Sequence, residues 1–400
     1  MTAQQDAMYM ARALQLAKNG RYTTDPNPRV GCVLVRDNEI IGEGWHVRAG
    51  QGHAEVEALK SVQDAKGATA YVTLEPCSHH GKTPPCCDAL INVGISRVVA
   101  AMQDPNPLVS GRGLAKLEAA GIEVICGVLQ EDAQVLNRGF IKRMTVGRPF
   151  VRSKLAMSLD GRTALASGES KWITSAESRA DVQRLRAESS AILTGINTVL
   201  ADDPALNARV DFDVVQPVRV ILDSRLQMPL NAQMANLPGR TLILTCSQDQ
   251  AKQQSLQHAG FEVHQLANDG NGQLDLHAVM AFLVKQQINE VLVEAGAILN
   301  GALLTACLID ELVVYMAPCI LGDQGRGLFH LPGVTTMADK KILKLLDVRQ
   351  VGGDVRLILE PQANPLQFKE FLNVIKTDEL SLEDITVEVE AVRQIRHHGR

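Results

Sequence analysis

No stretch of this sequence stays apolar long enough to span a bilayer, and the amino-terminal MTAQQDAMYMARALQLAKNG lacks a basic segment leading into an uninterrupted apolar one. Membrane insertion and export are therefore not expected. Positive charge is not in excess either: 40 Lys and Arg stand against 45 Asp and Glu, a formal net charge of −5. Binders of long nucleic acids need a broad positive field, so such partners are not expected. Cysteine is sparse, with eight in 400 residues. What is present, 46% hydrophobic and 21% charged residues, suits a cytoplasmic globular protein, and the length allows two or three domains.

Up to about residue 148, short β-branched runs alternate with helical patterns. Residues 30–35 (VGCVLV), 70–75 (AYVTLE), 97–102 (RVVAAM) and 122–127 (IEVICG) read as strands. Met10, Ala13, Leu14 and Ala17 recur at helical spacing, and HAEVEALKSV, CDALINVG and GLAKLEAAG supply three more helices. Strands joined through helices imply α/β layers. A second series begins near Pro149, with strands over 189–195, 217–223, 241–246, 261–266, 290–296 and 311–318. Gly147 and Pro149 punctuate the passage between the two series, so few contacts are expected to cross there. The expected domains are residues 1–147 and 148–360. Residues 361–400 read as an appendix of weak periodicity, a docking or partly mobile tail.

Cys32, Cys126, Cys246, Cys307 and Cys319 lie singly in apolar runs, where a thiol is expected to be a small buried hydrophobe. Cys77, Cys86 and Cys87 instead crowd one polar segment rich in Pro and Gly. Upstream stands His53-Ala54-Glu55, and the cysteines occur as Pro76-Cys77 and Pro85-Cys86. One imidazole and two thiolates give zinc three protein ligands and leave a fourth tetrahedral position open, as in catalytic sites. Glu55 is then the proton carrier. On a regular helix the side chains at 53 and 55 diverge by roughly 200°, so both serve one pocket only if the site caps the first turn. Helix N-termini there would also favour thiolates. Together these elements match the zinc deaminase signature, whose Glu shuttles protons without binding the metal. One departure is the insert SHHGKTPP, which puts eight residues between the cysteines where the usual signature has two.

In the second series, VEAG leaves a strand and enters a Gly-punctuated turn, so backbone N–H groups from Gly296 onward could receive a phosphate at a helix start. A strand–helix junction also needs glycine for purely structural reasons. Arg209, beside the acids of DDPALNAR, has a surface ion pair as its plainer account, and Arg186 a favourable contact with a helix end.

The string PCSHHGKTPPC after HAE, with DPNPRVGCVLV, GEGWHVRAG and DPNPLVSGRGLAKLEAAGIEV, resembles the deaminase half of the bifunctional riboflavin-biosynthesis deaminase/reductase family. KLAMSLDGRTALASGESKWITS, LRAESSAILTGINTVLADDPALNAR and LVEAGAILNGALL resemble its reductase half, and almost all of residues 8–359 fits the pattern. The resemblance implies an α/β protein of two domains: an N-terminal cytidine-deaminase-like α/β/α layer domain and a C-terminal dihydrofolate-reductase-like α/β domain. It implies one Zn2+ per chain, NADPH, a small phosphoribosylaminopyrimidine substrate and a homo-oligomer. The zinc ligands would be His53, Cys77 and Cys86, with Glu55 catalytic and Cys87 a bystander. Asn27, His46, His79, Lys82, Asp104 and Asn106 would contact the deaminase substrate. The cofactor would lie against Ala156, Trp172, Thr198, Asp202, Ser224, Gly296, Ala297, Ile298, Leu299, Asn300, Gly301 and Ala302. Ser170, Arg186, Leu206, Arg209 and Glu294 would face the reductase substrate, the two arginines gripping its phosphate with forked hydrogen bonds. Lys154 and Asp160, on the domain's first strand, would orient ribose or cofactor. Two rivals predict other observations. A polynucleotide deaminase with a non-redox binding domain needs a positive groove. A structural zinc protein needs a fourth protein ligand, from His79, His80 or Cys87.

Overall fold

The computed structural model describes residues 2–78, 85–107 and 109–362. In β1 (Gly31–Arg36), Cys32 and Leu34 face one apolar cluster while Val33 and Val35 face another, so the strand is buried on both sides and both need cover. Helix α1 (Ala3–Ala17), opened by a capping box between Thr2 and Gln5, lays Met10, Ala13, Leu14 and Ala17 on one side. Helices α2 (Ala54–Lys60), α3 (Cys86–Asn92) and α4 (Arg112–Ala119) cover the other through Ala58, Cys87, Leu90 and Leu117. Strands β2 (Glu39–Trp45), β3 (Thr69–Val72), β4 (Arg97–Ala100) and β5 (Glu123–Cys126) complete a sheet ordered β2-β1-β3-β4-β5. Helices α5 (Gln130–Leu136) and α6 (Arg138–Val146) lead out of it.

The second sheet contains β6 (Phe150–Ser158), β8 (Ala191–Gly195), β9 (Val218–Leu222), β10 (Thr241–Thr245), β11 (Glu262–Gln265), β12 (Glu290–Val293), β13 (Glu311–Ala317), β15 (Leu343–Val351) and β16 (Asp354–Pro361); β7 (Arg162–Ala164) and β14 (Arg326–Gly327) form a separate ribbon. Its order is β11-β10-β9-β8-β12-β6-β13-β16-β15, parallel from β11 to β13 and closed by an antiparallel hairpin. Helices α7 (Ala176–Glu188), α8 (Ile196–Asp202), α9 (Gln250–His258), α10 (Leu276–Lys285) and α11 (Ala297–Thr305) connect it. Among the described residues no helix is long and apolar enough to cross a membrane.

The structure departs from several sequence expectations. Strand β2 escapes the sequence pattern because Gly42 and Gly44 dilute it. Those glycines admit α2: a Cβ on Gly44 would stand 2.3 Å from the Ala58 backbone nitrogen. Of the five single cysteines only Cys32 is buried; Cys126 closes a strand at the sheet's edge and Cys307 sits in a turn, both exposed, while Cys246 and Cys319 are half-buried. Nor is the boundary sparsely crossed. Arg138 pairs with Glu311 at 2.6 Å, Lys142 pairs with Asp310, and Arg143 donates to Asn289 at 2.6 Å. A basic α6 lies against acids that arrive from about 170 residues away, which no local pattern reveals. The tail expected over 361–400 lies, from residue 363, outside the described residues.

Candidate active sites

His53 is the N-cap of α2, with extended backbone (φ −74°, ψ 165°), and Glu55 is the second residue of that helix. The site therefore caps the first turn, which is how two side chains that would diverge on a regular helix come to serve one pocket. Cys86 opens α3, and its backbone N–H donates to Cys77 Sγ at 3.3 Å. His53 Nδ1 lies 3.2 Å from Cys86 Sγ and 3.5 Å from Cys77 Sγ, with all three donor atoms within 4.8 Å of one another. A tetrahedral zinc bonded at ~2.1 Å to nitrogen and ~2.3 Å to sulfur separates such donors by about 3.6 Å. The three residues fit the ion. Hydrogen bonds from Cys86 and His53 hold the Cys77 sulfur as thiolate, while the same contact with Cys77, together with burial, raises the Cys86 thiol. Burial pushes Glu55 up to about 6, which suits a group that must both take and give a proton.

The Cys87 thiol points away, toward the Pro76 and Gly113 carbonyl oxygens at 3.2 and 3.4 Å. Among the described residues the donor group is three, without a fourth protein ligand. His79, His80 and Lys82 lie outside the described residues. His46 stands edge-on to His53, ring centroids 5.4 Å apart. Its Nδ1 is 3.0 Å from the Gly52 carbonyl oxygen and its Nε2 is 3.0 Å from Asn27 Nδ2. A carbonyl demands a donor, so Nδ1 carries the proton and Nε2 accepts from Asn27, which leaves the Asn27 carbonyl oxygen for another partner. Asp104 Oδ1 accepts from the Asn106 N–H at 2.8 Å in a local turn.

Glu75 organises this segment and was missed from the sequence. Its carboxylate accepts backbone N–H groups from Asp104, Gly111, Gly113 and Leu114 at 2.8 to 3.4 Å, tying the loop after β4 to the approach to Cys77. Backbone donors are alike in every residue type, so only the acid's place beside Pro76-Cys77 could have suggested it.

The second domain holds a cavity of about 2630 Å³ at the carboxyl ends of β6, β8, β9 and β12, where open parallel sheets place their ligands. Ala156, Ser170, Trp172, Thr198, Asp202, Leu206, Arg209, Ser224, Glu294, Gly296, Ala297, Ile298, Leu299 and Ala302 all line it, as do Lys154 and Arg186. No side chain caps α11, and a Cβ on Gly296 would meet nothing within 4 Å, so the helix start faces open space fit for an anionic cofactor.

Asn300 and Gly301 do not line the cavity. Asn300 turns inward, accepting from Ser153 Oγ at 2.6 Å and donating to the Ala295 carbonyl at 2.7 Å, and Gly301 packs against the His330 backbone. Asp160 likewise serves a turn, accepting from Ser158 Oγ and the Leu321 and Gly322 N–H groups. Arg186 lines the cavity with part of its guanidinium engaged: its Nε and Nη2 close on Glu294 at 2.6 and 3.0 Å, and Nη1 donates to the Asn207 carbonyl at 3.1 Å. Burial alone would raise Glu294, but Arg186 and Lys154 hold it at about 2. Arg209 is exposed, with only Nη1 engaged by a side chain, Asn207 at 3.2 Å.

Residues 3–102 match the model of the cytidine and deoxycytidylate deaminase zinc-binding region, and residues 149–357 match that of the RibD C-terminal domain. The riboflavin biosynthesis protein RibD of Escherichia coli K12 is 52% identical over 368 residues, covering 89% of this chain and 99% of that protein; RibD of Haemophilus influenzae is 49% identical over 383, covering 90% and 98%. The solved structure of Acinetobacter baumannii RibD, form 1, superposes with a TM-score of 0.84 at 47% identity, over 90% of this chain and all of that one. A Thermotoga maritima structure described as a diaminohydroxyphosphoribosylaminopyrimidine deaminase/5-amino-6-(5-phosphoribosylamino)uracil reductase superposes with a TM-score of 0.78 at 35% identity, over 90% and 99%. A zinc-ready deaminase centre and a dinucleotide-sized cavity on one chain are thus accounted for together: the protein belongs to the RibD family, bifunctional enzymes of riboflavin biosynthesis that join a zinc-dependent deaminase to an NADPH-dependent reductase.

Proposed function

We propose that residues 1–147 remove an amino group from a diaminopyrimidinone bearing a ribosylamino 5-phosphate, and that residues 148–360 then reduce the ribosyl group to ribityl. The observation that carries the first step is the convergence of His53, Cys77 and Cys86 beside the buried Glu55. Those three residues would hold zinc, which when bound would supply an acidified water as nucleophile. The Glu55 carboxylate takes a proton and delivers it to the departing amine. Asn27, its amide oriented by His46, hydrogen-bonds the pyrimidine, with Asp104 and Asn106 as further contacts, and the family resemblance assigns His79 and Lys82, which lie outside the described residues, to the phosphoribosyl part.

The second cavity would hold NADPH, which when bound would supply hydride. Ala156, Trp172, Thr198, Asp202, Ser224, Gly296 to Leu299 and Ala302 orient the cofactor. Ser170 and Leu206 face the sugar, and the exposed guanidinium of Arg209 binds its phosphate. Arg186 and Lys154 keep Glu294 ionised at the cavity wall, so Arg186 acts on the carboxylate rather than on phosphate. The protein works in the cytoplasm, as a homo-oligomer, on small molecules. A polynucleotide deaminase would leave the reductase cavity without a role. Incubating the zinc-loaded protein with the diaminopyrimidinone phosphate should release ammonia first and consume NADPH second. NADPH consumption without ammonia release would overturn the order, and absence of both would overturn the substrate.

A further inference from the structure

The loop that carries Asn27 is anchored to the reductase domain as well as to its own. Asp25 Oδ1 accepts from Ser190 Oγ at 2.8 Å and from Asn289 Nδ2 at 3.0 Å, and Asn289 Nδ2 also donates to the Pro26 carbonyl at 2.9 Å. Both amide hydrogens of Asn289 are thereby spent on this loop, while its Oδ1 accepts from Arg143 Nε at 2.6 Å. Ser190 Oγ in turn accepts the backbone N–H groups of Asn289 and Glu290 at 3.1 and 3.0 Å. Its only hydrogen is left for Asp25. On the far side of Asn27, Arg29 Nη1 pairs with Glu290 at 3.1 Å and Nη2 donates to the Glu188 carbonyl at 3.3 Å.

Residues 25, 26 and 29 are thus fastened to the amino ends of β8 and β12, and Asn27 between them reaches the other way, to His46 beside the zinc ligands. Within the deaminase domain the loop is held at its two ends, by Thr24 Oγ and the Asn27 N–H to neighbouring carbonyls, by Asn137 to the Arg29 backbone and by Arg29 Nη1 to the Leu136 carbonyl at 2.8 Å, but none of these ties reaches Asp25 or Pro26. A side chain that must meet substrate within a fraction of an ångström depends on such supporting contacts.

We propose that Ser190 and Asn289, in the reductase domain, are positioning residues for deamination: they set the Asn27 loop from across the domain interface. The deaminase pocket is completed by the other enzyme's sheet, and the fusion of the two activities has a catalytic consequence for the first. This rests on the assignment of Asn27 to the pyrimidine.

The test compares Asn27→Ala, Asn289→Asp and Ser190→Ala in the full-length, zinc-loaded protein. Ammonia release from the diaminopyrimidinone phosphate is measured alongside NADPH oxidation with the already deaminated substrate. Asn289→Asp keeps the shape but turns acceptor oxygens toward Asp25 and Pro26. It should raise the deaminase KM about tenfold, with kcat, zinc content and the reductase constants within about twofold of wild type. Ser190→Ala should move in the same direction by less. The exchange Asp25→Asn with Asn289→Asp restores one donor–acceptor pair and should recover part of the lost KM, which a merely structural role would not do. If Asn27→Ala raises KM and Asn289→Asp leaves it unchanged, the inference fails while the Asn27 assignment stands. If Asn27→Ala is silent, that assignment fails first. A parallel fall of zinc content and both activities in Asn289→Asp would make the residue only structural and overturn the proposal.

Discussion

The two reacting centres are built on opposite plans. The metal site gathers its ligands from two helix starts and the segment after one strand, within 34 residues from His53 to Cys86. The reductase cavity draws on the carboxyl ends of four parallel strands, and its ion pair joins Arg186 to Glu294 across 108 positions. A metal demands a few donors of defined kind at fixed distances, so its protein signature is short and chemically distinctive. A dinucleotide is held by many ordinary contacts, most of them backbone or apolar, so its signature is long and chemically bland. The first centre should therefore fail all at once and the second by degrees.

Removal of the metal is the harshest way to separate them. Chelation should abolish ammonia release while leaving NADPH oxidation of the deaminated substrate intact; loss of both would place the metal in the reductase as well. Next, Glu55→Gln should keep zinc, by metal analysis, and lower the deaminase kcat about a thousandfold; turnover near wild type would remove Glu55 from its proton-carrying role. Arg186→Ala strands Glu294 in a buried position. It should destabilise the second domain by about 3 kcal/mol, seen in denaturant unfolding, with reduction lost and deamination retained. Arg209→Ala should cost reduction less, raising KM about tenfold with little change in kcat. An equal stability loss in both arginine variants would mean that Arg209, too, is structural.

The mildest contrast is with acid. Glu294 is held at about 2 in the folded protein against an ordinary 4.5, so its contribution to stability is complete above 4.5 and is lost as pH falls toward 2. Glu294→Gln should be less stable than wild type at pH 7 and should lose less on acidification through that window. A wild-type unfolding free energy that is flat from 4.5 downward would contradict the pairing.

The three metal-ligating candidates and the carboxylate beside them were legible because residue type and spacing carry the chemistry: His53, Cys77, Cys86 and Glu55 needed no knowledge of the sheet. The strand runs were legible because burial on both faces demands continuous apolar residues, as in β8, β9 and β10. The pairing of Arg186 with Glu294 was not legible because nothing near Arg186 in sequence announces that acid. Asn300 and Gly301 came with the cofactor segment through the family resemblance, which marks a stretch of chain but not the face each of its residues presents. Ser190 and Asn289 carried no signal at all, and Glu75 none beyond its place beside Pro76-Cys77, since a hydrogen bond to a backbone group or a distant loop leaves no pattern in residue order.

Residue order alone thus determined the chemistry available: three metal-ligating side chains with a carboxylate beside them, two α/β layers, and a glycine-marked helix start open to an anion. Tertiary structure decided how that chemistry is aimed. It turned Cys87 away from the metal, spent the Arg186 fork on Glu294, and bound the Asn27 loop to a sheet that begins more than 120 residues later. The reason is geometric: donor identity is a property of one residue, whereas direction and saturation belong to pairs that only folding brings together.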